Sequence, residues 1–178
     1  MTPVRLLAAH LAIAAATIAA ACAPMTITTY TQRGVDVAAY RTFAWERTET
    51  GVPGDPRLDN NAFFHGYLRD AVERQLLTHG YEHTSLQPEM YVHYHASAQQ
   101  KVLVPDQHVR SEQCRDCTAE VYDEGSLLVD LTDARTGALV WRGVAQSGLT
   151  AAVNNQLRME ETIDRAVTRI FTKLPRRQ

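Results

Sequence analysis

Residues 61–79 and 155–174 each carry a single apolar stripe at helical spacing, which restricts the chain to folds in which each helix buries one side only. In the first segment Phe64, Leu68, Val72 and Leu76 recur every fourth residue, with Tyr67 and Ala71 beside them. Arg69, Asp70, Glu73 and Arg74 fall mostly on the other side. Asp59 or Asn60 is placed to cap the start. His79-Gly80-Tyr81 reads as a Schellman stop, with Gly80 left-handed and Tyr81 packing back on the last turn. In the second segment Met159, Ile163, Val167 and Ile170 form the stripe, flanked by Ala166, Phe171 and Leu174. Glu160 and Glu161 near its start and Lys173 near its end suit the helix dipole, and Pro175 ends it.

The segments between and before these helices have the two-residue period of strands. Residues 90–97 alternate, with Met90, Val92, Tyr94 and Ala96 on one face and Tyr91, His93, His95 and Ser97 on the other. Ser126–Thr132 sets Leu127, Val129 and Leu131 on one face, residues 133–137 turn the chain, and 138–147 return with Leu139, Val140, Trp141 and Val144. Two such runs joined by a short loop ending in Gly137 make a hairpin. Tyr40–Trp45 clusters β-formers in one short strand, and 46–60, with two Gly and two Pro, is a loop. Residues 99–125 read as a long irregular insert, and the Thr-rich 23–34 as a tether, an edge strand, or one after the other.

Before these elements stands an address. One positive charge, Arg5, precedes the uncharged run Leu6–Ala21, which is too short and too rich in alanine for a permanent span. A basic start, a short apolar core and a small-residue end form a secretory signal. Ala19-Ala20-Ala21-Cys22 resembles the bacterial lipobox, with Ala19 where leucine is usual. In that signal the cysteine receives the lipid, so Cys22 is the expected lipidation site and residues 1–21 the cleaved signal peptide. An ordinary cleavage site, leaving a soluble secreted protein, is the other reading. Ala23 follows the cysteine, and by resemblance to the sorting rule that links Asp there to inner-membrane retention, the outer membrane is expected. The organisation is then 1–21 signal, 22–34 lipidated N-terminus and tether, and 35–178 one domain. Its fold class is α+β: a small antiparallel-rich sheet with both amphipathic helices on one face.

Cleavage would leave 157 residues and, with Arg5 gone, a net charge of about −3. No basic surplus is present for nucleic acid, so none is expected as a partner. The expected partners are the membrane, through the lipid, and other envelope proteins, with the domain facing the periplasm.

Four stretches together resemble the lipoproteins of the domain-of-unknown-function family DUF4136: YRTFAW at 40–45, LLTHGY at 76–81, MYVHYHAS at 90–97 and GSLLVDLTDARTGALVWRG at 125–143. The resemblance covers nearly the whole mature chain, and Val140-Trp141-Arg142-Gly143 with Thr42-Phe43-Ala44-Trp45 is its most specific part. It implies an envelope lipoprotein with a small α+β domain, and it implies no reaction.

Chemistry-bearing residues are few. Cys114-Arg115-Asp116-Cys117 is expected to form a small disulfide in an oxidising compartment. A redox pair would sit at a helix N-terminus, which the pattern here does not offer. The alternative is a ligand-binding lipoprotein in which Cys114 and Cys117 join His93 and His95, with His108 in the same insert, around zinc or copper. Asp130 and Asp133 flank the hairpin turn, where Asp133 is better read as a turn residue, and Glu120, Asp123 and Glu124 as solvating charges. Trp45 and Trp141 read as core, with a binding groove as the other possibility. With no nucleophile elbow and no phosphate loop, no catalytic residue and no cofactor is assigned, and the expected role is structural or interactive, not enzymatic.

Overall fold

Both apolar stripes and all strand alternations resolve onto one side of a single sheet. The computed structural model describes residues 25–46, 58, 61–103 and 120–177. Its strands are β1 (Thr26–Thr31), β2 (Thr42–Trp45), β3 (Glu82–His83), β4 (Met90–Leu103), β5 (Glu120–Asp133) and β6 (Leu139–Gly148). Its helices are α1 (Ala62–Thr78) and α2 (Gln156–Phe171), with one 3₁₀ turn at Val37–Ala39. The strand order is β1-β6-β5-β4-β2-β3. Pairing is antiparallel from β1 to β4, but β2 runs parallel to both β4 and β3. The fold is therefore α+β with a mixed sheet, because the α1 connection carries the chain from β2 back to a parallel neighbour.

The helix-facing rows of the sheet are set by register. Val92, Leu131 and Trp141 stand side by side on β4, β5 and β6, followed by Tyr94, Val129 and Gly143, and then by Ala96, Leu127 and Ala145. Gly143 is glycine for room: a Cβ there would lie 2.3 Å from Ile170 Cγ2 of α2 and 2.6 Å from the Trp141 ring. The two helices run in the same direction, since Tyr67 bonds Asp164 while Gln75, two turns on, bonds Thr168. Burial of Phe43, Leu68, Leu76, Leu131, Ile170 and Phe171, none of which is exposed, stabilises the stack by about 1.5–3 kcal/mol per side chain. Trp141 is fully buried, and its indole N–H has no partner among the described residues. Such an orphan donor costs about 1–3 kcal/mol, which the packing of the ring must exceed.

Local signals placed most boundaries. Gly80 has φ +86°, Tyr81 N–H donates to Leu76 O at 3.1 Å and Gly80 N–H to Leu77 O at 3.0 Å, which is the Schellman arrangement. The α1 cap is Asn61, not Asp59 or Asn60: its side chain accepts from Phe64 N–H at 3.0 Å. Asn155 does the same for α2.

Of the alternatives open for 23–34, residues 26–31 take the edge strand, on β6. One expectation is corrected. Residues 99–103 and 120–125 are not irregular, because β4 and β5 continue as one ladder to Leu103 opposite Glu120. Past the Gln99–Glu124 pair β4 and β5 continue as a two-stranded arm, and no described helix covers it.

Candidate functional site

No described element covers the face of the sheet away from the helices, and that face carries His93 and His95. Glu46, next to β2, comes within 3.9 Å of His93 Nδ1 on β4. His93 pairs with Asp130 on β5, Asp130 with Arg142 on β6, and Arg142 with Tyr30 on β1. These residues form one polar row across the sheet. Arg142 donates from Nε to Asp130 Oδ1 at 2.7 Å and from Nη2 to Oδ2 at 2.6 Å, a bidentate pair. Asp130 is buried, at 7% exposure, whereas the Arg142 side chain is 41% exposed. The bond to Asp130 raises the Arg142 guanidinium further above its ordinary value, so the charge is fixed. The next row sets His95, Leu128, Val144 and Thr28 side by side, with Leu128 and Val144 half-buried although no helix covers them. This surface offers a fixed Arg142–Asp130 ion pair, histidines and an apolar strip, which suits binding.

Among the described residues, concavities lie elsewhere. At the β2–β3 edge a cleft of about 580 Å³ is lined by Trp45, Arg69, His83 and Tyr91. Its polar groups serve one another: Trp45 N–H donates to Glu73 at 3.2 Å, Arg69 lies over the Trp45 ring at 4.7 Å, and His83 stands 3.8 Å from Glu73. Between the helices and the sheet an apolar cavity of about 50 Å³ is bounded by Met25, Leu58, Phe64, Leu149, Met159 and Ile163. Next to it, a groove of about 390 Å³ opens between the starts of the two helices, lined by Phe63, Tyr67, Val153, Asn154 and Glu160 among others.

The residues singled out in the sequence fall in different places. His93 and His95 share the open face as the alternation required. Trp141 is core, and Trp45 is half-buried against Tyr94 and Arg69. Asp133 is the turn residue, accepting from Thr136 N–H, Thr136 Oγ1 and Arg135 N–H, and also from the distant Tyr40 hydroxyl at 2.9 Å. Cys22, His108, Cys114 and Cys117 lie outside the described residues.

Among the described residues no three His, Asp or Glu side chains converge as metal ligands. Sequence reasoning missed the Asp130–Arg142 pair, although Asp130 and Arg142 sit on facing strands of a legible hairpin.

A model of the family described as domain of unknown function (DUF4136) matches residues 27–176. Comparison with curated proteins finds no match. Among solved structures, the fold is similar to that of a PDZ domain protein from Parabacteroides distasonis, with a TM-score of 0.54 and 13% identity over 86% of this chain. The match covers 37% of that protein, so this chain spans little more than a third of its length. A PelC dodecamer from Paraburkholderia phytofirmans is similar at a TM-score of 0.51 and 11% identity, covering 87% of this chain and 100% of the other. At these identities the likeness is one of fold.

Proposed function

We propose, from the premise that this chain belongs to the DUF4136 family, that it is a lipoprotein of the bacterial envelope, anchored by lipid on Cys22 and acting as a non-enzymatic structural or interaction module. The outer membrane, with the domain facing the periplasm, is the compartment this reading assigns. One observation supports it above the rest. The family match begins at residue 27, so the first 21 residues lie outside the matched segment, as a removable signal would. The uncovered sheet face, with Arg142 fixed on Asp130 beside Leu128 and Val144, is the surface through which such a module would hold a partner.

Intact mass of protein extracted from membranes, beside a Cys22→Ser variant, tests the reading. A chain beginning at Cys22 with added acyl mass, absent from the variant, is the expected result. An unacylated chain cleaved nearby would reject the anchor and leave a secreted domain.

A second reading concerns self-association. The similar PelC fold is a dodecamer in its crystals, and β1 here is a six-residue edge strand that is mostly exposed. Edge strands offer unpaired backbone groups to another chain. Light scattering on the detergent-solubilised protein tests it, and a monomer at every concentration would exclude it.

A further inference from the structure

The proposed anchor and the start of the fold are so close that they fix which end of the domain meets the bilayer. Met25 is buried against the apolar cavity, and only residues 23 and 24 separate it from Cys22. Three residues span at most about 11 Å. The lipid on Cys22 therefore enters the membrane within that distance of Met25. Register shows what lies at that end. Thr26 pairs with Gln146, which pairs with Ser126, which pairs with Ser97, so β1 begins at the level where the arm begins. Leu103 lies six residues farther out, about 20 Å. The arm outreaches the tether, so the domain cannot stand clear of the lipid with its arm pointing at it.

Apolar exposure concentrates at the same end. Of the seven exposed large apolar side chains among the described residues, four are there: Phe63 at 51%, Leu157 at 70%, Val102 at 58% and Val121 at 54%. Phe63 and Leu157 sit in the first turns of α1 and α2, and Phe63 lines the groove and stacks on Tyr67. Val102 and Val121 are register partners on the arm. By strand alternation both point to the helix side of the sheet, whereas Lys101 and Tyr122 are partners on the other side, where Lys101 pairs with Glu124 at 3.6 Å. The apolar side of the arm and the exposed apolar side chains at the helix starts thus lie in one region, at the arm end of the domain.

We infer that this region docks on a lipid surface: the arm lies along the bilayer with Val102 and Val121 against it, and Phe63 and Leu157 enter the headgroup boundary. The inference rests on the lipid anchor at Cys22. Docking in this pose turns the opposite end, with Leu86, to the water and leaves the open sheet face accessible at the side. An apolar face of this kind sits about 5–10 Å into the headgroup and acyl boundary.

The test uses the mature protein purified from membranes and returned to vesicles of phosphatidylethanolamine and phosphatidylglycerol. Nitroxide labels are placed singly through Leu157→Cys, Val102→Cys and Leu86→Cys, in a chain carrying Cys114→Ser and Cys117→Ser. Collision with a water-soluble nickel chelate is expected to be about threefold lower at 157 and 102 than at 86, with oxygen collision raised. Labels at 157 and 102 as accessible to the chelate as that at 86, on protein whose mass shows acylation, would overturn the docking and leave the anchor standing. Protein without acyl mass would overturn the anchor itself, and the docking with it.

Discussion

The end of the domain where both helices stop and the end where both begin are built on the same six strands with different side chains. At the first end Val92, Leu131 and Trp141 face the helices, and Trp141 packs on Phe171 with ring centres 5.7 Å apart. Backbone and side chains are knitted there as well. The Tyr81 hydroxyl donates to Val37 O at 3.3 Å and to Pro175 O at 3.1 Å, and Arg177 donates to Gly80 O at 2.9 Å. At the second end the facing residues shrink to Ala96 and Ala145, then Ala98, Gly125 and Ser147, and an apolar void of about 50 Å³ remains under the helices. A sheet tapered in this way puts its rigidity at one end and leaves space at the other. The spacious end is the one at which Met25 enters the fold, although at Gly125 Leu149 occupies the place a side chain would take.

Mutations of opposite sense can break this contrast. Trp141→Ala is expected to lose about 3–5 kcal/mol in urea unfolding, the largest effect of any single truncation proposed here. Leu149→Ala at the other end should lose about 2 kcal/mol, because Leu149 borders a void and an open groove. Equal losses would erase the distinction. Added methyl groups are the sharper probe. Gly143→Ala forces Ile170 and the Trp141 ring apart and should cost about 1–3 kcal/mol. Ala96→Val adds carbon into the void and should stabilise by about 0.5–1 kcal/mol. If Ala96→Val destabilises as Gly143→Ala does, the second end is as tightly filled as the first.

The same contrast explains what could be read from the sequence. Helices α1 and α2, the β5–β6 hairpin and the Gly80 stop were legible because each is covered on one side, and burial on one side writes a period into the chain. The arm was illegible for the converse reason. Gln99, Gln100 and Lys101 on β4, and Tyr122, Asp123 and Glu124 on β5, have no helix above them, so no alternation marks them as strand. At Val140 the period fails inside a legible element: Leu131 faces Trp141 while Thr132 faces Leu139, and the extra residue lets Val140 and Trp141 be buried in succession. The two-residue β3 exists only through parallel pairing with β2, some forty residues earlier, which no local pattern encodes. Asp59, Asn60 and Asn61 all have capping side chains, and composition alone does not choose among them. Of the candidate site residues, His93 and His95 were placed correctly on one face by alternation, while Cys22, Cys114 and Cys117 lie outside the described residues.

Smaller effects sharpen the account of the knitted end. Tyr81→Phe removes a hydroxyl whose single proton is shared between the Val37 and Pro175 carbonyls and should cost about 1 kcal/mol at neutral pH. Burial pushes the Tyr81 hydroxyl up to about 12, so the folded state favours its neutral form. The stability it contributes is whole below the ordinary tyrosine value of about 10, and is lost as pH rises from there through 12. Denaturant midpoints measured from pH 8 to 11 should therefore fall less steeply for Tyr81→Phe than for the unmodified protein. Matching slopes would mean that the hydroxyl ionises in the folded state as freely as in the unfolded chain.

The weakest lever is the turn that closes the hairpin. Hydrogen bonds from the Thr136 hydroxyl, the Thr136 N–H and the Tyr40 hydroxyl hold the Asp133 carboxyl below the ordinary carboxylate range. A lowered carboxyl favours the folded state wherever it is ionised. Its contribution is therefore complete above the ordinary value of about 4 and disappears as pH falls through the folded value. Asp133→Asn keeps an oxygen acceptor for the turn and removes the charge. The variant should be less stable than the unmodified protein at pH 7, and the two should converge as pH falls below about 4. Because Tyr40 reaches this carboxylate from 93 residues away, a gap that stays constant down to low pH would show that Asp133 acts through the shape of the turn alone, and that the long-range bond adds nothing to the knitted end.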